Sequence, residues 1–352
     1  MKLVFQDVED DSKWDNYVMN LPEYSFLNSS ARYRFNKLVN NGSFRYAVFD
    51  NEEYVGIITG SIGNSKLFGK FLECKHSPLL FEYTSEYMND VTEFCKDIAI
   101  KNNCFMLRFS PLVVENSSLD GFYRTHGFVK APIHNVDALV SQHVDLTKSM
   151  EELKHDMSSS RKNRLNKLLR DQSVEVKIFN NRSVFDIFKD FHSETVKLKG
   201  YVDKPIDLLM KELDIQVEHG MCYMIVGYSD GVPVSIWQCT VYGKNMHLYQ
   251  ACSDTRYREK NMLMTTLLYW KTVELGKQLG CKIFDMFGGV VPKGYENKNH
   301  PWKGVGDFKE SLGGEKITYM HSRDLPISRP KYFLYYPYSY IRTRAKGYTI
   351  NW

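Results

Sequence analysis

The sequence predicts an α/β protein in which one succession of helices and strands occurs twice. Three observations carry this expectation. At 352 residues the chain exceeds one ordinary compact domain and suits about two, of ~150–200 residues each. Its composition, 43% hydrophobic and 25% charged, is globular and argues against disordered, collagenous and coiled-coil classes. Each half runs through helices, then a β-rich hairpin or meander, then a helix that feeds into a short apolar strand.

In the first half, FLNSSARYRFNKLVNNG (26–42) opens on polar residues and stops at Gly42, as a helix does. RYAVFDNEEYVGIITGSI (45–62) is two β-rich runs about an Asp-Asn turn, a hairpin. SEYMNDVTEFCKDIAIKNN (85–103) sets Val91, Phe94, Cys95, Ile98 and Ala99 on one helical face and runs into the apolar strand CFMLRFSP (104–111). FYRTHGFVKAP (122–132) reads as a short helix turning on Gly127 into a strand.

In the second half, the polar opening SMEELKHDMSSSRKNRLNKLLRDQ (149–172) precedes the strand VEVKIF (174–179), and 183–200 is a helix closed by Gly200. Residues 221–253 form a meander with Asp-Gly and Gly-Lys turns. A long helix over 259–281 leads into KIFDMFGG (282–289). The boundary falls near 143–150. The expected domains are 1–146, joined by the C-terminal segment 320–352, and 147–319.

The formal charge of +4, from 46 Lys+Arg against 42 Asp+Glu, is too mild to mark a nucleic-acid binder by itself. It leaves room for local basic clusters. Aromatic content is 14%, with 23 Tyr and 21 Phe, side chains that cover sugars, bases or a partner surface. The cysteines at 74, 95, 104, 222, 239, 252 and 281 are odd in number and form no CxxC pair. They read as buried reduced thiols of a cytosolic protein, not as a disulfide framework or a zinc site. MKLVFQDVEDDSKWD turns acidic with no apolar core of a signal peptide, and no run reaches the ~18–20 apolar residues of a membrane span. The expectation is a soluble intracellular protein, with a peripheral membrane contact left open.

A strand-rich sheet, one long helix and a further strand resemble the acyl-CoA N-acyltransferase (GNAT) fold, here duplicated: two tandem GNAT-like domains with mixed sheets flanked by helices. That resemblance implies a Q/RxxGxG/A loop before the long helix, whose N–H groups hold the CoA pyrophosphate and whose glycines allow the close approach. At that place this chain has RYREKNML (256–263), with Asn261 and Leu263 where the glycines belong. The acyl group is therefore expected not to arrive on CoA, and no cofactor or metal is expected.

FDMFGGVVPKGYENKNHPWKGVGDFKESLGGEKITYMHSRDLPI (284–327) resembles the Fem family of peptidoglycan-bridge aminoacyltransferases. Asp285, Gly288 and Gly289 match its strand end. His300, Pro301, Trp302 and Gly304 match its HPW loop. Phe308, Lys309, Gly313 and Gly314 match its FK-x-x-x-GG segment, read as a strand, and Asp324 to Ile327 its DLPI strand. LRFSP (107–111), SSSRKNRLNKLLRDQSVEV and LYQACS (248–253) echo further family segments. The chain departs at Ser110, where the family has Asp, at Asp203-Lys204-Pro205, where an Arg often precedes the proline, and at Leu208, where a Tyr is usual. Gly200 to Met221 leaves no room for the helical arm of the larger members.

The resemblance implies an aminoacyltransferase that moves an amino acid from the 3′ end of aminoacyl-tRNA to an amine of a peptidoglycan precursor, and a monomer is expected. The acceptor is UDP-MurNAc-pentapeptide or lipid II, in the cytoplasm or at the inner face of the membrane. An ester is already activated, so the enzyme must position two substrates, stabilise an oxyanion and accept a proton. No nucleophile elbow or zinc-type His/Glu cluster suggests another route.

The resemblance places Lys309 near the reacting ester, where a fixed ammonium is worth ~2–4 kcal/mol if water is excluded. A solvated strand lysine is the alternative, with Asp307 and Glu310 on the other side of that strand. Asp285 and Asp324 are candidate proton acceptors or strand-end caps, and Asp324 is read as a cap. His300 and Trp302 shape the loop over the site, His300 as a structural hydrogen-bonder. Tyr249 touches the acceptor or lies at the core rim. Phe105, Arg108, Lys204 and Phe308 complete the substrate-binding candidates.

Among basic clusters, Arg161, Lys162 and Arg164, beside Lys167 and Arg170, follow Ser158 to Ser160, which would cap a helix and offer a phosphate site for tRNA. Arg34 and Lys37 are precursor-phosphate candidates or ordinary surface charge. The tail RPKYFLYYPYSYIRTRAKGY (329–348) interleaves five basic residues with six tyrosines. It suits RNA, a membrane headgroup layer, or a segment folding back over the first domain. Two other functions stay open: a GNAT-fold N-acyltransferase using another activated donor on a surface glycan or other amine, and a binding module without turnover.

Overall fold

The structure, a computed structural model, describes residues 2–39, 42–114, 116–134, 137–199, 204–296 and 298–350, with the backbone alone at 199 and 257–263. Gly200 and Asp203, singled out above, lie outside the described residues. The chain divides into two compact units. Unit 1 is Met1–Ser141, Gly288–Gly304 and Ile317–Trp352; unit 2 is Gln142–Phe287 and Val305–Lys316.

The elements run β1 (Val4–Asp7), α1 (Asp11–Met19), α2 (Ser30–Val39), β2 (Phe44–Asp50), β3 (Glu53–Ser65), β4 (Gly69–Lys75) and β5 (Leu79–Leu80). Next come α3 (Ser85–Lys101), β6 (Met106–Ser110), α4 (Ser117–Thr125), β7 (Val129–Lys130) and β8 (Val140–Asp145). They continue with α5 (Met150–Asp156), α6 (Ser159–Leu168), β9 (Val174–Phe179), α7 (Phe185–Lys199) and α8 (Ile206–Glu218). Then follow β10 (Cys222–Ser229), β11 (Val232–Tyr242), β12 (Asn245–Ser253), α9 (Arg258–Gln278) and β13 (Ile283–Asp285). The chain ends in α10 (Lys303–Glu310), β14 (Glu315–Thr318), β15 (Arg323–Pro326) and α11 (Arg329–Ala345).

The two sheets repeat one order. The first is β1-β2-β3-β4-β6-β15-β7, with β5 off the path on β3; the second is β9-β10-β11-β12-β13-β8-β14. Among the described pairings each holds a parallel pair, β4 with β6 and β12 with β13, beside antiparallel neighbours. In each, the strand on the far side of that pair comes from elsewhere in the chain: β15 lies between β6 and β7, and β8 between β13 and β14.

In unit 1, α3 buries Met88, Val91, Cys95 and Ala99, spaced at three and four residues, against Leu72, Leu107 and Phe109. Thr84 caps its N-terminus by accepting from the Tyr87 N–H. In unit 2 the sheet is covered on both faces. α6 and α9 pack on the side of Trp237, Met246, Leu248 and Phe284; α7 and α8 pack on the side of Met224, Val226, Ile236 and Cys252. Full burial of such a side chain stabilises by about 1.5–3 kcal/mol. All seven cysteines are buried thiols.

Two segments differ from their expected form. The FK segment is helix α10, not a strand, because Phe308 and Leu312, four residues apart, both turn into the core. Gly313 and Gly314 then stop the helix at φ +95° and +83°, and a Cβ at Gly314 would stand 2.3 Å from the His143 carbonyl oxygen. Asp307 and Glu310 therefore do not alternate with Lys309 across a strand. The tail forms α11, which lays Tyr332 and Tyr335 on Phe105 and Met106 of unit 1. Among the described residues, no helix is long and apolar enough to cross a membrane.

Candidate active site

The chemistry of unit 2 gathers at the last rung of its parallel strand pair. There Asp285 on β13 stands opposite His247 on β12 and His143 on β8. Strand side chains alternate, so Phe284, Met246 and Leu248 enter the core under α9 while Asp285, His247 and Tyr249 take the other face. Asp285 is only 8% exposed. One carboxylate oxygen accepts the Phe287 N–H at 2.7 Å, and the other lies 3.5 Å from His143 Nε2. Phe287 has φ +50°, a left-handed conformation that side chains rarely adopt, and its ring meets His247 and Tyr249 edge-on at 5.9 Å each.

Tyr249 carries the group on to α8. Its hydroxyl accepts from Lys204 Nζ at 2.7 Å and donates to the Glu212 carboxylate at 3.0 Å. Lys204 also pairs directly with Glu212, which is 2% exposed. A buried carboxylate is thus held by an ammonium and a phenol together.

Lys309 enters from α10. It is 8% exposed and donates to the Met286 carbonyl at 2.5 Å. Burial pushes its pKa down from 10.5 to about 8, with the Asp285 charge opposing the fall. A drop of that size corresponds to roughly 3 kcal/mol against the charged form. The side chain still holds its proton at neutral pH and can release it near pH 8. Such a group can neutralise a developing oxyanion and protonate a leaving oxygen.

Lys309, Asp285, Tyr249 and Lys204 are thus joined through neighbouring contacts in one unit. His143, His247, Glu212 and Phe287 complete the group and were not singled out from sequence. The one available signal was strand alternation, which puts His247 two residues before Tyr249.

The remaining candidates have other immediate neighbours. Phe308 packs on the unit 2 core with the Arg161 guanidinium over its ring at 4.7 Å. Arg161 donates to Ser311 and Thr266 hydroxyls at 2.9 and 3.2 Å, and Lys162 to the His155 carbonyl at 3.2 Å. Arg164 is half-buried on the same helix, and its charge, after burial, lowers the Arg161 pKa. Ser158 stands at the N-cap of α6 without the side-chain cap bond expected of it; its own N–H donates to the Ser311 carbonyl instead.

In unit 1, Arg108 is buried, 5% exposed. It donates to both Asp324 oxygens at 2.6 and 2.8 Å and to the Tyr335 hydroxyl at 2.9 Å. Burial opposes its charge, but Asp324 and Tyr335 outweigh that and hold its pKa well above the usual value. Asp324 accepts these bonds rather than capping a strand. Phe105 packs on Phe68, Phe71 and Tyr335. Arg34 is exposed and paired with Asp11, and Lys37 lies over the Tyr33 ring at 5.5 Å. His300 and Trp302 join His134 and Tyr348 in an aromatic cluster of unit 1, with ring centres 4.6 to 6.0 Å apart. Burial lowers the pKa of both histidines, that of His134 to about 4. Among the described residues, no three His, Cys, Asp or Glu side chains group as a metal centre.

Residues 157–303 match the family described as acetyltransferase (GNAT) domain. A solved structure of FemX is similar over 95% of this chain and 99% of its own, with TM-score 0.80 and 13% identity. A tandem GNAT protein from the clavulanic acid biosynthesis pathway is similar over 92% of this chain and 98% of its own, with TM-score 0.55 and 10% identity. The fold is a Fem-like duplicated GNAT fold. The L-PGS of Bacillus licheniformis shares it over 97% of this chain and 98% of its own, with TM-score 0.52 and 12% identity. No curated protein matches the sequence. Within the duplicated GNAT fold, the match over 157–303 lies largely in unit 2, and the chain is an acyltransferase by that domain. Residues 256–263, where a CoA-binding loop would open, are a short 3-10 turn and the first turns of α9.

Proposed function

We propose that the protein is an aminoacyltransferase that moves an amino acid from aminoacyl-tRNA to an amine of a peptidoglycan precursor, UDP-linked or lipid-linked. The observation that carries the reading is Lys309, a buried ammonium with its pKa lowered to about 8, beside Asp285 at the end of the parallel strand pair. The absence of glycine from 256–263 supports a donor other than acyl-CoA.

In the proposed reaction the acceptor amine attacks the ester carbonyl carbon, and the C–N bond forms as the carbonyl oxygen takes up negative charge. Lys309 stabilises that oxyanion. Asp285 takes the proton from the attacking nitrogen, with His143 beside it to share the charge. As the ester C–O bond breaks, the ribose oxygen leaves and receives a proton from Lys309, whose lowered pKa suits the transfer. Tyr249 and Lys204 hold the acceptor.

The test is a transfer assay with purified protein, charged total tRNA and a set of muramyl-peptide precursors, read by mass spectrometry. One added aminoacyl mass that disappears with Lys309→Met is the expected result. A second reading, an N-acyltransferase with a different donor, is favoured by the acetyltransferase match over 157–303. Product from acyl-CoA and none from charged tRNA selects it.

A further inference from the structure

Helix α11 has two faces of opposite fate. Tyr332 and Tyr335 point inward and are buried. At 100° per residue, Phe333, Leu334, Pro337 and Ile341 fall on the opposite side. There Phe333 is 78% exposed, Leu334 63% and Ile341 66%. Tyr338 and Tyr340 flank them, also exposed. A surface helix ordinarily turns polar residues outward, and a helix apolar on both faces signals a second apolar neighbour. The charges around the stripe have one sign. Arg329 and Lys331 stand at its start, Arg342, Arg344 and Lys346 at its end, and no Asp or Glu occurs from 325 to 352.

We infer that α11 is an interfacial membrane helix that docks unit 1 on an anionic lipid surface. Its apolar stripe enters the boundary between headgroups and acyl chains, and its basic ends lie among lipid phosphates. Three features select this occupant. RNA offers bases to stack on Phe333 and phosphates for the arginines, but nothing that takes up the branched aliphatics Leu334 and Ile341. A second copy meeting the same face across a two-fold axis would bring two sets of five like charges together. Pro337 removes the amide that the Phe333 carbonyl would bond in an unbroken helix, so that carbonyl needs water, which the headgroup layer supplies. The inference goes beyond the proposed reaction, and its test needs no turnover.

The protein is sedimented with vesicles of phosphatidylglycerol and phosphatidylcholine, and separately with phosphatidylcholine alone. Binding to the anionic vesicles is expected, weakening as salt is raised. The triple variant Phe333→Ser, Leu334→Ser, Ile341→Ser should bind about ten-fold or more weakly while keeping its circular dichroism spectrum. Neutralising Arg342, Arg344 and Lys346 with Gln should weaken binding at low salt and flatten the salt dependence, by about five-fold per charge at most. Equal sedimentation of the triple variant overturns the inference. So does a wild-type dimer by light scattering that the triple variant abolishes, or tRNA binding lost in that variant while vesicle binding stays.

Discussion

The two units spend the same rung of the same sheet differently. Where unit 2 sets Asp285 between His247 and His143, unit 1 sets Ser110 opposite Lys75, with the Ser110 hydroxyl 2.8 Å from that of Ser322. Two buried or half-buried cations of unit 1 are also balanced by carboxylates. Arg108 is held in a fork by Asp324, and Lys75 lies 2.8 Å from Asp137. Burial would lower the Lys75 pKa, but Asp137 and Glu73 keep it raised. Lys309 of unit 2 goes the other way, its pKa falling to about 8. The difference teaches that one scaffold can hold buried cations in two ways: balanced by a carboxylate, or left costly, as the proposed reaction requires of Lys309.

The largest expected effect should break unit 1. Arg108→Met removes the partner of buried Asp324 and is expected to cost about 3–5 kcal/mol, read as a lower thermal midpoint. Lys309→Met should do the reverse in unit 2. Turnover is expected to drop about 10²–10³-fold while the thermal midpoint holds or rises, because an expensive buried charge has gone. A midpoint that falls as far as in Arg108→Met would make Lys309 structural and dissolve the contrast.

A pH series sharpens the same point. The folded pKa of about 8 lies below the unfolded 10.5, so between them the unfolded chain binds more protons and stability rises with pH. Turnover at saturating acceptor should instead decline as pH rises through about 8, and Lys309→Arg should lose that decline since its guanidinium stays charged. Opposite slopes in one protein are the signature sought; parallel slopes would refute the assignment. The smallest effect belongs to Tyr249→Phe, which removes one donor from Glu212. It is expected to raise the acceptor KM by up to about ten-fold with kcat little changed.

The elements with strong local patterning were legible in the sequence. The face of α3, the turn of the β2–β3 hairpin and the β10–β12 meander all follow from apolar spacing and turn residues. α10 was not, because Gly304 and Gly306 mask a helix that tertiary contacts of Phe308 and Leu312 enforce. α11 was obscured by Pro337 and by its double apolar character. Within the site, Lys309, Asp285 and Tyr249 stood in recognisable motifs. His143 and His247 could not be found that way, since only strand register brings residues so far apart in sequence to one carboxylate. The same lack of register hid the partner of Arg108, Asp324, which lies 216 positions further on.

The place of β15 bears on how the chain is made. Its four residues wedge between β6 and β7, and they follow both of those strands only after the whole of β8 to β14 has been made. The half that leaves the ribosome first therefore waits with its sheet split until β15 has followed, and must be kept from pairing its open edges with other nascent chains.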